Sequence, residues 1–573
     1  MPDPTVVARS RERSRPFLYG GRAHPLLLLS LLIAALVALP IIGVLSNLFV
    51  VADAEAQTFT HLWQTVLPEY ILNSLTIALI VTVLTAVIGI GCAWLVAVFD
   101  FPGRKLFEWA LILPLAMPAY VVAYAYTDFL QFTGPIQSGL RELFGWQGRS
   151  SYWFPEIRSV SGAGILFAFI LYPYVYLIVR NAFLERSPRM WDAARTLGAG
   201  PWRAFMQVSL PLARPAAAAG IALALMETLA DYGAVSYFGV QTLTTGIYKS
   251  WYIFSDRTAA AQIAGVLLLT VMLLMFLEQK SRGRARYYAV GARSVVQPRA
   301  VLRGRHAVGA GLFCALPILI GFVTPLLILV HLLIDAETIV ISARYVEWLC
   351  NTILLGGVTA VIAVIICVVI AYAARIAGGT AQRICNRIVG MGYAIPGAVI
   401  AVGILIPIAR MDQWSSEHGV ALVLSGSVIA LIYAYLVRFL AVSLQSVQAG
   451  LLKITPSMDA SARSLGHGPA SMLMRVHAPL LWRSVLTAGL LVFVDVVKEL
   501  PATLTIRPFN FDTLAVITHQ LASDERLGEA ALPAFTIVLI AMVPGLVNGL
   551  LVARLMVPVM VLARAIAANK LRS

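Results

Sequence analysis

Apolar residues fill this chain in twelve long blocks separated by shorter polar segments. The blocks fall at about 25–51, 70–98, 106–130, 161–184, 213–238 and 259–278, then at about 308–333, 349–374, 385–409, 420–445, 481–503 and 531–560. A helix needs roughly 20 apolar residues to cross the hydrocarbon of a bilayer. The pattern therefore predicts an all-α integral membrane protein with about 12 transmembrane helices.

The polar segments differ in charge, and the difference orients the chain. A basic arm at 1–24 carries Arg9, Arg11, Arg13, Arg15 and Arg22, whereas the connection at 52–69 has no Lys or Arg. Basic residues collect again at 180–214, in a linker at 280–306 and in a tail at 563–573. Lys and Arg mark cytoplasmic connections, so both termini and the linker are expected in the cytoplasm. The first block is longer than a signal-peptide core, and we read it as an uncleaved anchor.

Composition narrows the function classes. Only 12% of the 573 residues are charged, about half the share of a soluble domain. The net charge of +15 sits in topological segments rather than on a nucleic-acid-binding face, so no nucleic-acid partner is expected. The five cysteines form no C-x-x-C pair, no histidine has a metal-ligand spacing, and no phosphate-binding glycine loop occurs. We expect no enzyme and no cofactor bound by this chain. Cys92 and Cys367 read as small core residues.

The chain repeats itself. Ser187-Pro-Arg-Met-Trp-Asp-Ala-Ala-Arg-Thr-Leu-Gly-Ala-Gly-Pro201 matches Thr455-Pro-Ser-Met-Asp-Ala-Ser-Ala-Arg-Ser-Leu-Gly-His-Gly-Pro469 at an offset of 268 residues. Asn73-Ser-Leu75 matches Asn351-Thr-Ile353, and Pro118 matches Pro396, at an offset of 278. The extra ten residues of the first copy lie in its connection at 131–160. The halves are thus 25–279 and 307–562, each with six expected helices. An even number per half makes this a parallel repeat.

Each polar insert, 187–211 and 455–479, carries its own helix punctuation. Ser187 or Thr455 is an N-cap followed by Pro at the first helical position, and Gly198 or Gly466 supplies the left-handed residue that ends the helix. A Gly-Pro pair then starts a second short helix running to Pro211 or Pro479. Topology alone requires charge there, not matched caps and stops, so the twin inserts predict a twinned docking partner.

The inserts resemble the EAA loop of binding-protein-dependent ABC importer permeases. The first copy offers Asp192-Ala193-Ala194, then Gly198 and Val208-x-Leu210-Pro211. The second offers Ala460-Ser461-Ala462, Gly466 and Val476-x-Ala478-Pro479, with its acid one residue early at Asp459. The resemblance covers nearly the whole chain and implies the type I (MetI-like) ABC importer transmembrane domain. It implies that these residues couple to two ATP-binding subunits, where ATP and Mg would reside, and that a periplasmic binding protein delivers cargo at the bacterial inner membrane. Met226–Gly239 and Val497–Leu504 look like the ferric-iron group of fused two-half permeases. Thiamine, polyamine and 2-aminoethylphosphonate permeases are related alternatives, and a secondary transporter without an ATPase is the rival of another class.

Four acids speak to the cargo independently. Glu227 and Asp231 lie four residues apart, read as one helical face, and the 268 offset carries them onto Asp495 and Glu499. A charge at membrane depth costs about 2.5 kcal/mol or more on insertion scales and marks a partner or a pathway. Four carboxylates meeting between the halves would suit a hard cation such as Fe(III), or an organic cation, over sulfate. Lys498 and Arg507 offer local pairing as the structural alternative. The tyrosines at 120, 124, 126, 172, 174 and 176 read as packing or interfacial belt before pathway, and His467 and His477 as part of the insert's cytoplasmic surface.

Overall fold

The computed structural model describes residues 25–48, 60–184, 196, 198, 200–282, 299–335, 341–376, 378–419 and 423–543. Among them, ten helices are long and apolar enough to cross a bilayer. An eleventh crossing results if the bent pair Arg104–Ala116 and Ala119–Phe144, at 91° to one another, forms one span. The last apolar block is described through Val543, as the helix Leu527–Val543. Among the described residues, the architecture is all-α apart from a two-residue parallel bridge, in which Phe99 and Asp100 pair with Ala300 and Val301 at the end of the linker.

The helices show the bilayer acting as solvent. Along Leu67–Val98, the apolar side chains Leu72, Leu75, Leu79, Val83 and Val87 face outward, while Tyr70, Ser74, Ile77, Val81, Thr85, Gly89 and Cys92 are buried. Both stripes follow the three-and-four spacing of a helix face. The outer one is as apolar as the inner one because lipid, not water, covers it. Cys92 and Cys367 are fully buried, as expected of small core residues.

Several blocks that read as continuous are broken at the same places in both halves. In the block at 106–130 the α-helix ends at Ala110, a 3-10 turn covers Leu113–Ala116 and a new helix starts at Ala119; in that at 385–409 the α-helix ends at Met391, a 3-10 turn covers Gly392–Ala394 and a new helix starts at Gly397. Pro118 and Pro396 stand at the two restarts with nearly equal extended backbones, ψ 137° and 141°. Proline lacks the N–H a helix interior needs and disfavours helical geometry in the residue before it. The matched prolines are therefore the breaks themselves.

The other repeated motif pins a loop. Asn73 donates from Nδ2 to the Gln241 carbonyl at 2.9 Å, and Asn351 donates to the Asp512 carbonyl at 3.1 Å. The hydroxyls beside them, Ser74 and Thr352, accept from the amides of Leu243 and Leu514. Each pair ties the start of one membrane helix to the first turn of a later helix, Leu243–Tyr248 or Leu514–Ser523.

The halves exchange their leading helices. Pro25–Leu48 packs against Gly379–Met391 and Gly397–Glu417 of the second half. A side chain at Gly403 would meet the Pro40 carbonyl at 2.3 Å, and Tyr433 donates to the Leu36 carbonyl at 2.6 Å. In return, residues 305–335 lie on the first half, where Tyr126 donates to the Ile320 carbonyl at 2.6 Å. A side chain at Gly321 would meet the Phe169 carbonyl at 2.3 Å. Sequence order assigns each leading helix to one half, and packing assigns it to the other.

Candidate functional site

The helix Leu210–Ala230 carries Glu227 and ends one residue before Asp231, whose backbone is extended (φ −71°, ψ 137°). Asp231 is therefore not on the helical face of Glu227, contrary to expectation. Its Oδ1 accepts from the Ala234 amide at 2.9 Å and caps the short helix Gly233–Tyr237. The second half repeats the device. The helix Ala478–Val497 carries Asp495, and Glu499 lies past its end. Glu499 Oε1 accepts from the Ala502 amide at 2.9 Å, and Oε2 accepts from the Thr503 amide and hydroxyl at 3.0 and 2.6 Å, capping Pro501–Ile506. Free amides at a helix start attract carboxylates, so each acid holds the break in its membrane helix.

All four acids line one cavity of about 100 Å³ between the halves. Two bases share its wall. Arg438, on Val428–Leu451, places Nη2 3.6 Å from Glu227 Oε2 and Nη1 3.4 Å from Glu499 Oε1. Lys498 pairs with Asp495 at 3.1 Å, the local pairing that the spacing anticipated. Arg507 pairs instead with Asp512, away from the acids. Four carboxyl groups share this wall with two bases. They do not form a ready coordination shell: among the described residues, no three His, Cys, Asp or Glu side chains stand close enough to hold a metal ion together.

Of the six tyrosines, Tyr120 and Tyr174 line the cavity. The Tyr174 hydroxyl lies 3.2 Å from that of Tyr393. Tyr124, Tyr172 and Tyr176 are fully buried packing residues, and Tyr126 is occupied by the Ile320 carbonyl. Sequence reasoning missed Arg438. Its signal was present, since an arginine inside the apolar block at 420–445 is as costly as the acids.

The second insert is described throughout. Its helix Pro456–Ser464 ends in a Schellman motif: the Gly466 amide donates to the Arg463 carbonyl and the His467 amide to the Ala462 carbonyl, with Gly466 at φ +81°. Gly198 has the same φ, +81°. Only a residue without Cβ takes this conformation freely. Asp192, Ala193 and Ala194 lie outside the described residues.

Three expectations for the inserts change. Thr455 has N-cap backbone geometry, but its hydroxyl makes no cap and lies 2.8 Å from the Ser457 hydroxyl. The second short helix does not stop at Pro211 or Pro479. It runs into the membrane helix through a π-turn, Phe205–Ser209 or Leu473–His477, so that 202–230 and 469–497 are single spans. The wider turn absorbs the proline's missing N–H and its ring. His477 is not at the surface: it is fully buried, and its Nε2 lies 2.9 Å from Asp459 Oδ1. Asp459 Oδ2 also pairs with Arg375, which donates to the Leu451 and Ile454 carbonyls. Asp459 thus ties the insert to the membrane body. Ala460, Ser461 and Ala462 follow it on the helix; Ser461 and Ala462 line an open groove with Met458 and Leu465.

Residues 85–281 match the family described as binding-protein-dependent transport system inner membrane component. The chain is 30% identical over 209 residues to the sulfate transport system permease protein CysT of Escherichia coli, covering 70% of that protein and 35% of this chain. The chain belongs to this permease family. It is also 26% identical over 525 residues to the Fe(3+)-transport system permease protein FbpB 2 of Haemophilus influenzae, covering 90% of this chain and 96% of that one. The molybdenum transport system permease protein ModB of Escherichia coli aligns at 28% over 230 residues, 38% of this chain and 97% of that protein. The protein is therefore a multi-pass permease subunit of an ABC importer in the inner membrane. Membership implies a binding protein and an ATPase as partners, and it decides against the secondary transporter.

Proposed function

We propose that this permease carries Fe(III), delivered by a periplasmic binding protein, through the cavity between its halves. The observation that carries the reading is the meeting of Glu227, Asp231, Asp495 and Glu499 on one wall with only Arg438 and Lys498 to offset them. A negative wall of hard oxygen ligands attracts a hard cation and repels sulfate or molybdate. The similarity to an iron permease over 90% of this chain supports the same choice.

In this reading, two ATP-binding subunits dock on 187–211 and 455–479, bringing their own ATP and Mg. Asp192, Ala193, Ala194 and Gly198 form one contact, and Asp459, Ala460, Ser461, Ala462 and Gly466 form the other. Closure of the ATPase pair moves the inserts, and the continuous spans 202–230 and 469–497 carry that motion to the acids at their far ends. The basic arm, linker and tail face the cytoplasm. The chain supplies a path and transmits motion without bond chemistry of its own.

The test is to reconstitute the permease with its ATPase and binding protein and measure ATP hydrolysis with each candidate cargo. Fe(III)-loaded binding protein should stimulate hydrolysis, and sulfate, molybdate, thiamine, polyamine and 2-aminoethylphosphonate should not. Stimulation by an oxyanion in place of Fe(III) would overturn the assignment.

A further inference from the structure

We propose that Arg438 is a tethered counter-cation, which occupies the acid cavity in the absence of cargo, latches the two halves together and must be displaced by the cation that passes. The inference rests on the cation reading above and assigns a residue that sets its selectivity.

Arg438 is 6% exposed and reaches across the boundary between the halves, with Glu227 of the first half on one side and Glu499 of the second on the other. Both pairs are loose, at 3.6 and 3.4 Å, and neither is the two-bond fork a guanidinium makes with a committed carboxylate partner. Its Nε has no hydrogen-bond partner, nor has the hydroxyl of Tyr120, another buried residue of the cavity wall. The guanidinium is therefore held by charge more than by geometry. The backbone makes room for it: a side chain at Gly397 would meet Glu499 Oε1 at 2.7 Å and Arg438 Nη1 at 2.9 Å.

An arginine cannot leave this site by losing its proton. It can only be moved aside, and the exchange has a charge requirement. A monovalent ion entering the cavity replaces one positive charge with another and gains nothing for the move. A multivalent cation brings more charge than the guanidinium it displaces, so it gains from the exchange, and a trivalent one gains most. The latch therefore holds the path shut against sodium and potassium while admitting a hard multivalent cation. The first half has no such latch, because Ile170 stands 268 residues before Arg438 on the same wall.

The test measures Tb(III), a hard trivalent probe whose luminescence is sensitised by nearby tyrosines, binding to the purified full-length chain in maltoside micelles. Arg438→Gln should tighten Tb(III) binding by about tenfold or more, and sodium should begin to compete. Adding Glu499→Gln should abolish the gain, and Arg438→Lys should stay near the parent protein. If Arg438→Gln does not give a monodisperse protein, Arg438→Gln with Glu227→Gln, compared with Glu227→Gln alone, removes one charge of each sign and asks the same question. Equal or weaker Tb(III) binding without Arg438 would overturn the latch and leave the cation path standing. Tb(III) binding that no cavity substitution alters, or sulfate binding lost with Arg438, would overturn the cation path and the latch with it.

Discussion

At two matched positions, 268 residues apart, the halves of this permease differ in charge. Ile170 answers to Arg438 and Ala230 to Lys498, and all four line the same cavity. The backbone devices around them are otherwise the same: an acid caps each broken helix, and a second acid lies four residues before it. The first half therefore brings two carboxylates without a base, and the second brings two carboxylates with two bases. Duplication built the scaffold, and divergence at a few side chains divided the work. The surplus of carboxyl groups on the wall comes from the first half, and the two bases come from the second.

The largest expected break in this comparison is at the latch. Arg438→Ala leaves the buried Glu499 and the partly buried Glu227 without their shared base and should cost about 3 kcal/mol. Ile170→Val at the matched position should cost about 1 kcal/mol. Denaturant titration of the detergent-solubilised chain measures both, and equal losses would show that the arginine is ordinary packing. Next comes the insert. Asp459→Ala removes the partner of both Arg375 and His477 and should cost about 2–3 kcal/mol. Limited proteolysis should then open the chain between 455 and 479.

The acid caps should differ by less. Glu499 accepts from two amides and a hydroxyl of the short helix it precedes, whereas Asp231 accepts from the amides of Ala234 and Val235 alone. Glu499→Gln should therefore cost about 1–2 kcal/mol and Asp231→Asn about half as much. The smallest difference should be none at all. Gly198 and Gly466 share φ +81° with open space where a Cβ would stand. Alanine at either should cost about 1 kcal/mol through backbone strain alone, and the two losses should match.

How much of this was legible in the sequence depends on what each residue had to reveal. Helical class and the twin inserts follow from block length, charge and glycine spacing, which are local. Pro118 and Pro396 were visible as a repeat, yet their role as break points needed the chain's path. The pairing of Pro25–Leu48 with the second half was hidden for a physical reason. A helix apolar on every side carries no stripe to show which neighbour it meets. The four acids were found because membrane depth makes charge conspicuous. Their spacing misled in one respect, since the helix ends at Ala230 and Asp231 serves the next helix. Asp459 stood beside the expected acid position, and nothing local shows that it turns inward to Arg375 and His477.

The most direct measurement is radiolabelled Fe(III) uptake into vesicles containing the permease, its ATPase and its iron-loaded binding protein. The parent protein is compared with Glu227→Gln, Asp231→Asn, Asp495→Asn and Glu499→Gln in combination. The account requires uptake to fall by about tenfold or more while the ATPase still copurifies with the chain. Uptake at the parent rate with all four carboxylates removed would contradict it.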